Sequence, residues 1–171
     1  YVPALLVGSS GYIAFTNTQA FITPQIWQFQ QSNTLADLND IESDVTPNLY
    51  TYSGQTINFV SVGTSGTILY NQYVLNSVGN ITSSGIWTQA NSGTINNLKA
   101  VQSNYTLTSR GNTWVTVGQA GTVLYSTSAS GPWLKANSVP TTKNLNAVGY
   151  SNGYWVAVGD AGTIITSTDG S

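Results

Sequence analysis

The sequence predicts an all-β fold, a β-propeller segment of four-stranded antiparallel blades with about two full and two partial blades. Three observations carry that expectation. A phrase with two free residues between paired glycines recurs as Val7-Gly8-Ser9-Ser10-Gly11-Tyr12-Ile13, Val62-Gly63-Thr64-Ser65-Gly66-Thr67-Ile68, Val117-Gly118-Gln119-Ala120-Gly121-Thr122-Val123 and Val158-Gly159-Asp160-Ala161-Gly162-Thr163-Ile164. The leading glycines Gly8, Gly63, Gly118 and Gly159 stand at intervals of 55, 55 and 41 residues, and Trp27, Trp87 and Trp133 follow the first three. A leucine in an alternating apolar segment comes 11, 11 and 12 residues after those tryptophans, at Leu38, Leu98 and Leu145. Four short strands per unit, at a period of about 40 to 50 residues, is the pattern of a propeller blade.

Each glycine phrase reads as a tight hairpin between two apolar strands. The middle residues take the turn, and Gly11, Gly66, Gly121 or Gly162 supplies the positive φ that a bulged turn of this length needs. The first partial blade, residues 1–30, has strands at 4–7 and 12–16, a loop containing Pro24, and a strand at 26–29. Residues 37–44 hold Asp37, Asp40, Glu42 and Asp44, interrupted by apolar Leu38 and Ile41 as in a strand with a solvated face, and 46–54 carry the Pro, Asn and Gly punctuation of a loop. The second blade, 35–90, pairs 58–62 with 67–70, and an insertion at 72–85 delays its tryptophan strand at 86–89. The third blade, 95–136, pairs 113–117 with 122–126 before a strand at 132–135; the last, partial blade, 144–171, has strands at 145–150, 154–158 and 163–167. β-Branched and polar residues alternate throughout, without helical periodicity. The chain opens on strand-like Tyr1-Val2-Pro3-Ala4-Leu5-Leu6 and stops at Asp169-Gly170-Ser171, where a further strand is due. We therefore expect a single repeat domain, 1–171, that is part of a larger propeller.

At this point the residues resemble a known family. Ser167-Thr168-Asp169-Gly170-Ser171 looks like the opening of an Asp-box, the Ser-x-Asp-x-Gly-x-Thr-Trp hairpin of sialidase-type (BNR) propellers. The phrase from Trp155 to Ile164 is similar to blades of photosystem II assembly-factor-like propellers. In the preceding unit Ser126 and Trp133 keep the box spacing, with Ser128 in place of the aspartate. The resemblance implies a fold whose boxes are mainly structural: Asp169 would bond the amides of its own turn, with a tryptophan packed over it. It does not imply a sialidase, because that chemistry grips a carboxylate with several arginines and Arg110 is the chain's single arginine.

Composition excludes several roles. Only 6% of the 171 residues are charged, against about 25% in an ordinary soluble domain. Four basic residues and a net charge of −2 give no footprint for nucleic acid. With His and Cys absent, His-based triads, thiol nucleophiles and ordinary zinc sites fall away. No apolar run is long enough for a membrane helix. No cofactor and no metal is expected; the alternative is a Ca²⁺ site at Asp37, Asp40, Glu42 and Asp44, whose spacing is not that of an EF-hand.

The tryptophans fall regularly enough to be blade-packing residues. Tyr50, Tyr52, Tyr73 and Tyr105 lie in or near expected loops and are the candidates for ligand contact. The expectation is a non-catalytic, extracellular or virion-surface module, such as a phage tail or fibre component, that binds cell-surface glycans or neighbouring protein subunits. Alternatives are a propeller domain of a secreted glycan-processing enzyme with its catalytic residues outside this stretch, and a chaperone like the photosystem assembly factors.

Overall fold

The computed structural model describes residues 5–16, 27–44, 56–76, 81–105 and 113–171. Among them there are fifteen strands in four antiparallel sheets and no α-helix. The first sheet runs β1 (Leu5–Val7), β2 (Ile13–Thr16), β3 (Trp27–Gln30). The second runs β4 (Leu38–Ser43), β5 (Thr56–Gly63), β6 (Ile68–Leu75), β7 (Ile81–Ser84), with β8 (Thr88–Ala90) also on β6. The third comprises β9 (Leu98–Ser103), β10 (Trp114–Gly118), β11 (Val123–Ser126) and β12 (Leu134–Lys135), and the fourth β13 (Leu145–Ser151), β14 (Tyr154–Gly159) and β15 (Ile164–Ser167). The expected loops around Pro24 and at 46–54 lie outside the described residues.

The second sheet departs from expectation. Residues 72–85 are not a simple insertion before the tryptophan strand. β6 continues through Gln72 to Leu75, because Leu69, Asn71, Tyr73 and Leu75 keep burying one face at strand period. β7 then returns along the far half of β6, Tyr73 opposite Ser84, while β8 takes the near half, Ile68 opposite Ala90. Between them Asn71 Nδ2 donates to Gly85 O (3.0 Å) and the Gly85 N–H to Gln72 O (3.0 Å), so the chain crosses from one pairing to the other with its backbone groups satisfied.

Among the described residues the core forms three layers, each between consecutive sheets. Ile13 of the first sheet packs with Leu38, Phe59, Leu69, Tyr73 and Trp87 of the second. Val60, Val62 and Ile68 on the opposite face of the second meet Leu98, Trp114, Leu124 and Trp133 of the third. Val115, Val117 and Val123 of the third meet Leu145, Trp155 and Ala157 of the fourth. Face-to-face stacking is what a meander of short strands requires, since a single sheet cannot bury both its faces. Trp87 and Trp133 are buried as expected; Trp27, on the outer face of the first sheet, is 46% exposed.

The four turns have one geometry and lock the sheets together. Both the second middle residue and the second glycine are left-handed: φ is 55°, 55°, 52° and 55° at Ser10, Ser65, Ala120 and Ala161, and 70°, 68°, 68° and 70° at the glycines that follow. Sequence reasoning expected positive φ only at the glycine. A non-glycine residue in this region is strained. At three of the turns its amide is held from the next sheet's lead-in: the N–H groups of Ser10, Ser65 and Ala120 donate to Asp37 Oδ1 (2.9 Å), Asn97 Oδ1 (2.9 Å) and Asn144 Oδ1 (3.0 Å). The carbonyls of those same three residues accept from the first middle residue of their own sheet's turn, Thr64, Gln119 and Asp160, each at 2.9 Å. Asp37, Asn97 and Asn144 therefore each tie one turn to the next.

The lead-ins are themselves prefolded. Thr34, Thr94 and Thr141 accept at Oγ1 from the amide two residues on, Ala36 (3.1 Å), Asn96 (3.1 Å) and Lys143 (3.0 Å). The Thr94 carbonyl comes so close to Gly66 that a Cβ there would overlap it. At Gly162, with the same φ, a Cβ would meet nothing within 4 Å.

Candidate functional site

Of the four sequence-predicted ligand tyrosines, the structure describes Tyr73 and Tyr105. Tyr50 and Tyr52 lie outside the described residues. Tyr73 is not in a loop: it lies within β6, fully buried, with its ring edge-on to Phe59 (centroids 5.1 Å apart). Its hydroxyl donates to Gln30 Oε1 (2.6 Å), which also accepts from Trp87 Nε1 (2.9 Å). Burial pushes the Tyr73 phenol up to about 12, against the Gln30 hydrogen bond that pulls it down. Tyr105, just past β9, is half-buried.

The four clustered carboxylates do not converge. Asp37 holds the Ser10 amide. Asp40 accepts from the Ile41 N–H (2.9 Å) and, across the gap between sheets, from the Val101 N–H of β9 (2.9 Å). Together with Asn39 Nδ2 on Leu98 O (2.7 Å) and Ser103 Oγ on Ser43 O (2.9 Å), that bond satisfies backbone groups along the free edges of β4 and β9. Desolvation holds the carboxyls of Asp40 and Glu42 above the ordinary carboxylate range, partly offset by the backbone amides they accept from. Among the described residues no group of three His, Cys, Asp or Glu side chains is placed to hold a metal ion.

The structural repeat residues sit where the hairpin pattern puts them, with Gly8, Gly63, Gly118 and Gly159 preceding the turns and Gly11, Gly66, Gly121 and Gly162 closing them. Asp169 Oδ1 accepts from the Ser171 N–H (3.0 Å) and from Ser167 Oγ (2.8 Å), and Ser167 Oγ accepts from the Gly170 N–H (2.9 Å). These bonds hold the Asp169 carboxyl below its ordinary range, the Ser171 amide contributing most. In the third sheet Ser128 Oγ accepts from the Ser130 N–H (3.3 Å), so serine does there what aspartate does in the fourth.

What the strands do assemble is a polar groove of about 290 Å³ between the second and third sheets, at the end remote from the glycine turns. One wall is Asp44, Asn58, Tyr70 and Gln72; the other is Thr127, Ser128, Ala129 and Ser130, with Trp114 between. The first wall is a relay. Asp44 accepts from both the Asn58 N–H (2.8 Å) and Asn58 Nδ2 (2.6 Å), which turns Asn58 Oδ1 toward Gln72 Nε2 (3.1 Å). Opposite, the hydroxyls of Ser128 and Ser130 are 2.9 Å apart. Asn58 lies opposite Gln72 in the β5–β6 register, and Tyr70, two residues before Gln72 on β6, leans on the core layer. Among the described residues Asp44 is the one carboxylate lining the groove, and no basic side chain lines it.

Sequence reasoning missed both the tie residues and the groove. The ties left a signal: Thr34, Thr94 and Thr141 each stand three residues before Asp37, Asn97 and Asn144, which precede Leu38, Leu98 and Leu145. The groove left none, because its two walls lie 55 to 86 residues apart in the sequence and their polar residues read as solvent-facing positions. Comparison with protein-family models, with curated proteins and with solved structures returns no match.

Proposed function

We propose that the chain is a non-catalytic module of β-propeller type that binds neutral glycans, or docks neighbouring subunits, on a virion or cell surface. The observation that carries the glycan reading is the Asp44–Asn58–Gln72 row beside Tyr70 in an open groove. A sugar hydroxyl both donates and accepts, and a carboxylate and two amides on one wall, with paired serine hydroxyls on the other, offer both roles. Tyr70 supplies an aromatic surface beside them. A single lining carboxylate does not make the acid–base or acid–nucleophile pair that glycoside hydrolysis uses, which favours binding over cleavage. The propeller reading rests on the recurrent turns, the consecutive stacking of the sheets and the serine-aspartate turn at Ser167–Ser171 resembling an Asp-box. The low charge supports a surface role.

Titration with a panel of neutral and acidic oligosaccharides, read by calorimetry, tests this. Binding of a neutral member, weakened at least about tenfold by Gln72→Ala at exposed Gln72 without loss of stability, is the expected result, a loss of about 1.4 kcal/mol. Absence of binding across the panel, or binding indifferent to Gln72→Ala and Asn58→Ala, would overturn it.

A further inference from the structure

The repeat register shows that each sheet presents the same forward face to its successor. Counting from the leading glycine of each turn, the third and first residues before it and the fifth after it are Leu5, Val7 and Ile13 in the first sheet; Val60, Val62 and Ile68 in the second; Val115, Val117 and Val123 in the third. These pack against the second, third and fourth sheets respectively. In the fourth sheet the equivalent residues are Val156, Val158 and Ile164. Val60, Val62 and Ile68 are each 0% exposed; Val156, Val158 and Ile164 are 39%, 40% and 68% exposed. The residue types of a packed face are kept where no described residue covers them.

The opposite end of the stack is the reciprocal case. The rear faces of the second and third sheets bury Trp87 and Trp133 against the sheet before them. The rear face of the first sheet carries the equivalent Trp27, with Leu6 and Phe29, at 46%, 53% and 61% exposure. Tyr12 packs against Phe29 with the rings tilted at 58° and their centroids 4.9 Å apart. An isolated soluble protein seldom shows two apolar patches of this kind.

We propose that these two faces are the halves of one interface, and that the fourth sheet of one copy packs on the first sheet of a second copy. The partner is identified by continuity: forward face on rear face is the contact the molecule already makes three times. Such an interface is heterologous, so it generates a ring where the rotation closes and a filament where it does not. It is independent of the glycan groove, which lies between the second and third sheets.

The test is the mass in solution of the 171-residue chain, by light scattering and sedimentation equilibrium across concentration, with one charged substitution on each face. Wild type is expected to form concentration-dependent multiples of 18.1 kDa. Ile164→Glu alone and Phe29→Glu alone are expected to be monomeric, and a mixture of the two to give a 1:1 dimer that grows no further, since each variant retains the face the other lacks. Val158→Lys and Leu6→Glu repeat the experiment at second positions, and unchanged far-ultraviolet circular dichroism checks that each variant folds. A wild type that stays monomeric, a Phe29→Glu variant that still self-associates through its fourth sheet, or a mixture that stays monomeric would overturn the proposal.

Discussion

Replacing Gly66 and Gly162 separately by alanine would divide the cost of a left-handed turn from the cost of a lock between sheets. The two glycines have nearly the same φ, 68° and 70°. An alanine Cβ at either pays the left-handed penalty of roughly 1–2 kcal/mol. At Gly66 it would also overlap the Thr94 carbonyl and approach Ser92 Oγ at 2.9 Å, so the third sheet's lead-in must move. Overpacking of that kind adds roughly 1–3 kcal/mol. Gly162→Ala should therefore cost about 1–2 kcal/mol and Gly66→Ala about 2–5. At about 2–4 °C per kcal/mol for a chain of this size, the Tm of dilute protein falls by a few degrees in the first and by at least twice that in the second. Calorimetric melting of both variants in parallel reads the difference. Equal losses would refute the reasoning, because the close approach of the lead-in would then carry no energy.

Asn97→Ala removes the acceptor of the strained Ser65 amide and should cost about 1–2 kcal/mol in urea unfolding, while Asn97→Asp should stay near wild type, since Asp37 fills the same place one sheet earlier. At the first layer, Tyr73→Phe leaves Gln30 bonded to Trp87 and should cost about 0.5–1.5 kcal/mol; Gln30→Leu strands both the Tyr73 hydroxyl and the Trp87 indole and should cost about 2–4. Glu42 is raised by burial, so the folded state binds its proton more tightly than the unfolded chain does. Its contribution is fully present at low pH and is lost as pH rises from the ordinary carboxylate range through the raised value. Glu42→Gln should flatten the decline in urea midpoint across that window and leave the acid side unchanged. Asp160 and Asp169, held low chiefly by Asn146 and by the Ser171 amide respectively, act with the opposite sign and below that range, so they do not mask the effect.

The turns and the strands beside them were legible because their signals are local. A glycine pair flanked by period-2 apolar residues specifies its hairpin without help from the rest of the chain, and the spacing of Trp87 and Trp133 reported their place in the layers. The continuation of β6 was hidden because Asn71 and Gln72 look like a strand end, although Tyr73 and Leu75 keep the strand period. Asp37 was read as one acid among four because nearness in sequence suggested nearness in space. Its real relation is to Asn97 and Asn144, whose shared task is to accept one amide, for which carboxylate and amide oxygens are interchangeable. The groove could not be read at all, since Asp44, Asn58 and Ser130 meet only once two sheets are stacked.

The central claim is that sheets are joined by a strained turn amide held from the next sheet's lead-in, and amide hydrogen exchange at Ser10, Ser65, Ala120 and Ala161 tests it most directly. All four are exposed, so protection at these amides reports their hydrogen bonds and not simple burial. In dilute protein the first three should exchange slowly and Ala161 fast. Four amides exchanging alike would contradict the account.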